Sequence, residues 1–306
     1  MNTLLDTFRN DGLRQWLPLA TLVILVILVG LFQPAFLDVN TLLQLASDTA
    51  VLFILATGVT FVIMLGGIDL SIQSMASLSS VVVALTLARF GYGAFAFAFG
   101  LGVLAGLLSG IAHVRLRIPS FIATLAMGGV LYSAALVTSR ERSITLGESE
   151  RAYLGWITGS LFGIPNVVII ALVVLAIAHV LQSRTPFGRY SAAIGAGEPA
   201  AYASGVKVDR QKIFAFVLSA SCAALAGIVL VGRLARIAAV VVGGTSITGG
   251  VGSIWRTLVG ALIISVVRIG MTFLGVNIFA QNIVFGVVLV AAVAITIDRS
   301  KIPIVK

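Results

Sequence analysis

Long apolar runs separated by short polar stretches dominate this chain. About 30 Å of hydrocarbon, at about 1.5 Å of helical rise per residue, calls for about 20 predominantly apolar residues. Runs meeting or approaching that length fall at 16–32, 42–65, 72–88, 92–114, 118–138, 164–182, 212–232, 237–249, 252–274 and 278–297. The pattern predicts an all-α polytopic membrane protein with about ten transmembrane segments. The first run carries eleven Leu, Ile, Val and Phe residues from Leu19 to Phe32, together worth about −3 to −7 kcal/mol on an insertion scale. It ends in Gln33-Pro34 without a small-x-small cleavage signature, so it reads as a retained first helix and not as a signal peptide.

Two stretches break the simple pattern. In Gly66-Gly67-Ile68-Asp69-Leu70-Ser71 two glycines and a carboxylate sit between apolar runs. An Asp at the centre of a membrane helix costs about 2.5 to 3.5 kcal/mol and needs a partner or water. The competing reading is a tight inter-helix turn in which Asp69 or Ser71 caps the next helix, and capping at the cytoplasmic end of the helix pair is the favoured expectation. The second stretch spans 237–250, where Gly243-Gly244-Thr245-Ser246 and Thr248-Gly249-Gly250 interrupt a run too short to cross as a helix. A broken or re-entrant segment near 237–249 is expected there, with a close-packed glycine turn as the alternative.

Composition agrees with a membrane protein: 59% hydrophobic, 10% charged and mean hydropathy +1.13. The net charge of +9 comes from 20 Lys and Arg against 11 Asp and Glu, too sparse for a nucleic-acid-binding face. It reports topology instead. With the N-terminus inside, twelve loop or terminal cations, among them Arg115, Arg117, Arg184, Arg189, Lys207, Arg210 and Lys212, lie on the inner side and six on the outer. This predicts both termini cytoplasmic. One cysteine, Cys222, and two distant histidines, His113 and His179, offer neither a metal site nor a nucleophile-base pair.

The longest inner loop, 183–211, is the most informative polar piece. Glu198 and Pro199 suit the first turn of a short helix, Ala200 to Ser204 extend it, and Gly205 stops it. An exposed alanine-rich helix with basic flanks suits a docking element. Retention at the membrane surface by anionic lipid, through Arg184, Arg189, Arg210 and Lys212, is the competing reading.

Several stretches in this order resemble the permease subunits of bacterial ABC sugar importers of the ribose, xylose, arabinose and galactoside type. They are Gly67-Ile68-Asp69-Leu70-Ser71, Ile118-Pro119-Ser120-Phe121-Ile122-Ala123-Thr124-Leu125, Thr185-Pro186-Phe187-Gly188-Arg189, residues 195–206, and residues 237–246 with Gly249-Gly250-Val251-Gly252. The resemblance covers nearly the whole chain. It implies a single transmembrane permease domain over 1–306 in the bacterial inner membrane, with a cytoplasmic coupling loop at 183–211. It also implies a second permease subunit, as a homo- or heterodimer, two cytoplasmic ATPase subunits or a fused tandem ATPase, and a periplasmic sugar-binding protein. Gly195, Glu198, Ala200, Ala201 and Gly205 would then form the ATPase-coupling element. Asp69, Ser71, Ser120, Thr124, Gly243, Gly244, Thr245, Ser246, Gly249 and Gly250 would line the translocation pathway or its gate.

No G-x-x-x-x-G-K-[ST] phosphate loop occurs in the chain, so ATP and Mg are expected on the partner ATPase and no cofactor in this chain. The expected cargo is a monosaccharide or related small polyol. Nucleosides or amino acids are the runner-up, and an ion-coupled carrier built on Asp69 is a further alternative. Three departures from the family pattern stand out: Gln73 in place of a common glycine, Arg268 in place of a common asparagine, and a short junction from Leu234 to Ile237 where the family usually has a longer outer segment. Arg268 is expected to snorkel to the outer surface rather than face the bundle.

Overall fold

The computed structural model describes residues 11–142, 144–234 and 253–276, together with 281, 283, 284 and 287. Seven described helices are long and apolar enough to cross a membrane: α2 (Val39–Met64), α3 (Ile72–Phe90), α4 (Gly93–Arg115), α5 (Ser120–Ser139), α8 (Asn166–Arg184), α11 (Val208–Leu234) and α12 (Ile254–Phe273). They are preceded by α1 (Asp11–Phe32), whose apolar part is Trp16–Phe32. All eight fall on expected runs. The runs at 237–249 and 278–297 and the junction after Leu234 lie outside the residues described as continuous structure.

Between the long helices lie short elements. A 3-10 turn at Pro34–Leu37 follows α1. Helices α6 (Glu148–Ala152) and α7 (Gly155–Thr158) and the two-stranded antiparallel hairpin β1 (Ser160–Leu161) and β2 (Ile164–Pro165) precede α8. Ser160 pairs with Pro165 and Leu161 with Ile164, so Phe162 and Gly163 form a two-residue loop, both at positive φ. The hydropathy pattern gave no sign of this hairpin, because a pair of two-residue strands is too short to have a period. The loop 183–211 resolves into α9 (Pro186–Ala196), opened by Pro at its first position, and α10 (Glu198–Ala203).

The chain clusters into two compact units, Met1–Leu45 with Leu262–Lys306, and Ala46–Ala261. In the first, Val29, Phe36, Leu45 and Val266 are buried together, and the Phe36 and Phe273 rings meet edge to face at 5.9 Å. In the second, α11 is central and packs most extensively on α4 and α3. Its seam with α4 is set by glycines four residues apart. A Cβ at Gly102 would lie 2.8 Å from the Ala220 carbonyl oxygen, one at Gly106 only 2.4 Å from that of Phe216, and one at Gly110 2.9 Å from Ile213 Cα. The two backbones are therefore in direct contact, the small-residue packing that lipid-embedded helices use in the absence of a hydrophobic force between them. Ser79 Oγ adds a 2.8 Å bond from α3 to the Ala224 carbonyl.

Within the second unit the connections segregate by end. Residues 65–67, His113, Ser120, Glu198 and Lys212 gather at one end around a common cavity. Tyr92, Phe95, Tyr153 and Trp156 stack at the other, with centroid separations of 5.2 to 6.2 Å. This is the grouping that alternate crossings from the expected topology require.

Replacing Gly106 with Val should drive α4 off α11, an overpacking cost of about 1–3 kcal/mol or more, and abolish monodisperse protein in detergent. Gly100, whose Cβ would meet nothing within 4 Å, should accept Val with no loss. Size-exclusion profiles of the two variants check this.

Candidate functional site

The end of α2 supplies the first part of the site. Gly66, at φ +77°, closes the helix: its N–H donates to the Ile63 carbonyl at 2.9 Å and the Gly67 N–H to that of Val62 at 3.0 Å. This is a Schellman stop, for which the left-handed residue is best a glycine. The backbone from Gly67 to Leu70 is then neither helix nor strand, and its N–H groups need partners from elsewhere.

Those partners come from α5. Ser120 and Thr124 are four residues apart and share a helix face. Ser120 Oγ accepts from the Ile68 N–H at 3.0 Å, and Thr124 Oγ1 accepts from the Leu70 N–H at 3.0 Å. Thr124 is fully buried and turns its own proton to the Ser120 carbonyl at 2.9 Å, with the Ile68 carbonyl at 3.3 Å. Asp69 is 2% exposed. Its Oδ1 accepts from the Ser71 N–H at 2.9 Å and from the Ser71 hydroxyl at 2.6 Å, an Asx turn that leads into α3. Four expected pathway residues, Asp69, Ser71, Ser120 and Thr124, thus meet in one hydrogen-bonded knot. The capping expectation is not met: Ser71 is the N-cap of α3 and neither its side chain nor that of Asp69 caps the helix, and Asp69 is enclosed by protein and not set at a solvated surface. Gly243, Gly244, Thr245, Ser246, Gly249 and Gly250 lie outside the described residues.

The residues expected to form a coupling element divide into two sets. Glu198, Ala200 and Gly205 are exposed. Gly205, at φ +81°, stops α10 with a second Schellman pair, its own N–H to the Tyr202 carbonyl and the Val206 N–H to that of Ala201. Ala201 is buried, so it anchors the helix instead of presenting it. Gly195 marks a contact of a different kind. A Cβ there would lie 2.1 Å from the Met64 carbonyl oxygen, so α9 rests directly on the last turn of α2, one residue before the break. Phe187 of α9 reinforces this, with its ring 5.5 Å from Phe61 and 5.0 Å from Phe214.

Some participants were not legible in the sequence. Gln182 Oε1 accepts from the Ile254 N–H at 3.2 Å and its amide reaches Met64 Sδ at 3.6 Å. The Thr60 and Thr257 hydroxyls bond at 2.8 Å. Lys212 pairs with Glu198. Each of these joins residues far apart in the chain, for which no local spacing is a signal. His113 Nδ1 lies 2.7 Å from the Ile118 carbonyl and its ring 5.7 Å from that of Phe216, as suits a structural interfacial histidine. Arg268 is exposed on α12. Among the described residues no three His, Cys, Asp or Glu side chains gather as metal ligands do.

Substitutions at the knot separate packing from hydrogen bonding. Thr124→Val should leave the Leu70 N–H without its acceptor and cost about 1–3 kcal/mol, whereas Thr124→Ser should cost less; thermal unfolding in detergent reads both. Asp69→Asn keeps an acceptor for Ser71 and should retain assembly and uptake, while Asp69→Ala leaves the Ser71 N–H and hydroxyl without their acceptor and should lose about 1–3 kcal/mol.

Comparison with known proteins was consistent across the chain. Residues 41–293 match the family described as branched-chain amino acid transport system / permease component. The chain is 38% identical over 307 residues to the ribose import permease protein RbsC of Bacillus subtilis, covering 95% of each. It is 35% identical to the protein of that name from Haemophilus influenzae, over 89% of this chain and 90% of the relative. It is 33% identical to the fructose import permease protein FrcC of Rhizobium meliloti, over 91% and 84%. No solved structure matches the chain.

Proposed function

The chain belongs to the branched-chain amino acid transport system / permease component family, and on that premise we propose that it is the membrane-spanning permease subunit of an ATP-driven, binding-protein-dependent importer of a monosaccharide or related small polyol. The observation that carries the substrate class is near full-length identity of 33 to 38% to relatives named as ribose and fructose import permeases. Import of amino acids is the second reading, favoured by the family's own description.

In the proposed assembly two permease subunits, alike or different, meet two ATPase subunits or one fused tandem ATPase on the cytoplasmic side, and a periplasmic sugar-binding protein on the other. The chain sits in the bacterial inner membrane with both termini cytoplasmic, the orientation favoured by the loop cations. That orientation puts α10 and the 65–71 break at the cytoplasmic end. Helix α10 is the coupling helix. ATP-driven movement of its partner would reach α9 and, through the Gly195 contact on the Met64 carbonyl, the last turn of α2. From there the break and its four hydrogen-bonded residues are one step away, so transport needs displacement of a backbone knot and no covalent chemistry by this chain. Substrate selection would rest on the delivering protein, because a pathway fed by a binding protein needs little selectivity of its own.

Vesicles reconstituted with this subunit, its ATPase and its binding protein should accumulate labelled monosaccharide only with ATP inside the ATPase compartment. Uptake abolished by an uncoupler and indifferent to ATP would refute the proposal. Gly205→Val, strained at positive φ, should insert and bind the ATPase but import several-fold less sugar per ATP hydrolysed, which parallel uptake and phosphate-release measurements read.

A further inference from the structure

We infer that Lys212 is a positioning residue for coupling, holding α10 through Glu198 so that this carboxylate acts within the chain and is not left free for the ATPase surface. The inference rests on the proposal that α10 is the coupling helix. Lys212 Nζ lies 2.7 Å from one Glu198 carboxylate oxygen and 2.8 Å from the other, so both oxygens are engaged. The lysine is the more enclosed partner, its side chain 17% exposed against 51% for the glutamate. Without Glu198 the ammonium would be left in a half-closed site.

The pair also stands where it controls an angle. Glu198 is the first residue of α10, and Lys212 lies in the opening turns of α11. The far end of α10 is already fixed to α11 by the Gly205 stop and by the short connection to Val208. With the near end tied by the ion pair, α10 is held at both ends and moves with α11. Behind the pair lies a cavity of about 100 Å³ bounded by Gly66, Gly67, His113, Ser120 and Phe216 as well as Glu198 and Lys212. Ser120, which accepts from the Ile68 N–H, lines the same cavity, so the ion pair and the break border one shared space.

The test uses the complete reconstituted transporter, with sugar imported per ATP hydrolysed and retention of the ATPase subunit both measured. Glu198→Gln and Lys212→Gln should each retain the ATPase yet lower sugar imported per ATP several-fold. Lys212→Arg should restore wild-type coupling, and the double reversal Glu198→Lys with Lys212→Glu should recover most of it. A Lys212→Gln variant with normal coupling, or a double reversal no better than the single variants, would overturn the inference by showing that Glu198 acts on the ATPase directly. If the single variants lose assembled protein, the reversal decides: recovered assembly and coupling support the ion pair, and failure to recover refutes it. A wild-type complex that transports without ATP would instead refute the proposed function, a result separable from all of these.

Discussion

The rest of the larger unit depends on the direct backbone contact between α4 and α11. Helices in lipid gain nothing by hiding apolar side chains from one another, since the surrounding tails are equally apolar. What remains is close packing, and the Gly102, Gly106 and Gly110 face lets α11 approach until its carbonyl oxygens touch glycine Cα positions. Helix α11 is thereby fixed in register with α4, and Ser79 on α3 fixes it from the other side. Helices α9 and α10 both pack on α11.

A second constraint is that backbone polar groups cannot be left unpaired in a protein interior. Between α2 and α3 the chain abandons helical geometry for a few residues, and the N–H groups released there are met by hydroxyls on α5. Serine and threonine suit this role because a single hydroxyl both accepts and donates. The break is tied to α5 by hydrogen bonds, whereas the glycine seam is held by packing.

The two short helices reach both neighbourhoods. Helix α9 lies against the last turn of α2 through Gly195 on the Met64 carbonyl, just before the knot, and α10 is tied through Glu198 to Lys212 of α11, next to the residues that form the glycine seam. The cavity lined by Glu198, Lys212, Gly66, Gly67 and Ser120 lies between these contacts.

The sequence by itself determined the class of protein, because span length and mean hydropathy answer directly to bilayer thickness. It also determined the local stops. Gly66 and Gly205 end their helices as a glycine after an apolar or alanine-rich run should, whereas the capping expected of Asp69 gave way to an Asx turn onto Ser71 ahead of α3. What it left open was pairing. That Gly106 faces Phe216, that Thr124 meets Leu70, that Gly195 rests on Met64 and that Glu198 takes Lys212 are facts about residues brought together from different helices. The hydrophobic pattern specifies that a helix lies in the membrane but hardly which of its faces meets which neighbour, since lipid and a neighbouring helix are alike to an apolar side chain. Only the tertiary structure decided those contacts, through steric fit and the need to satisfy each released backbone group.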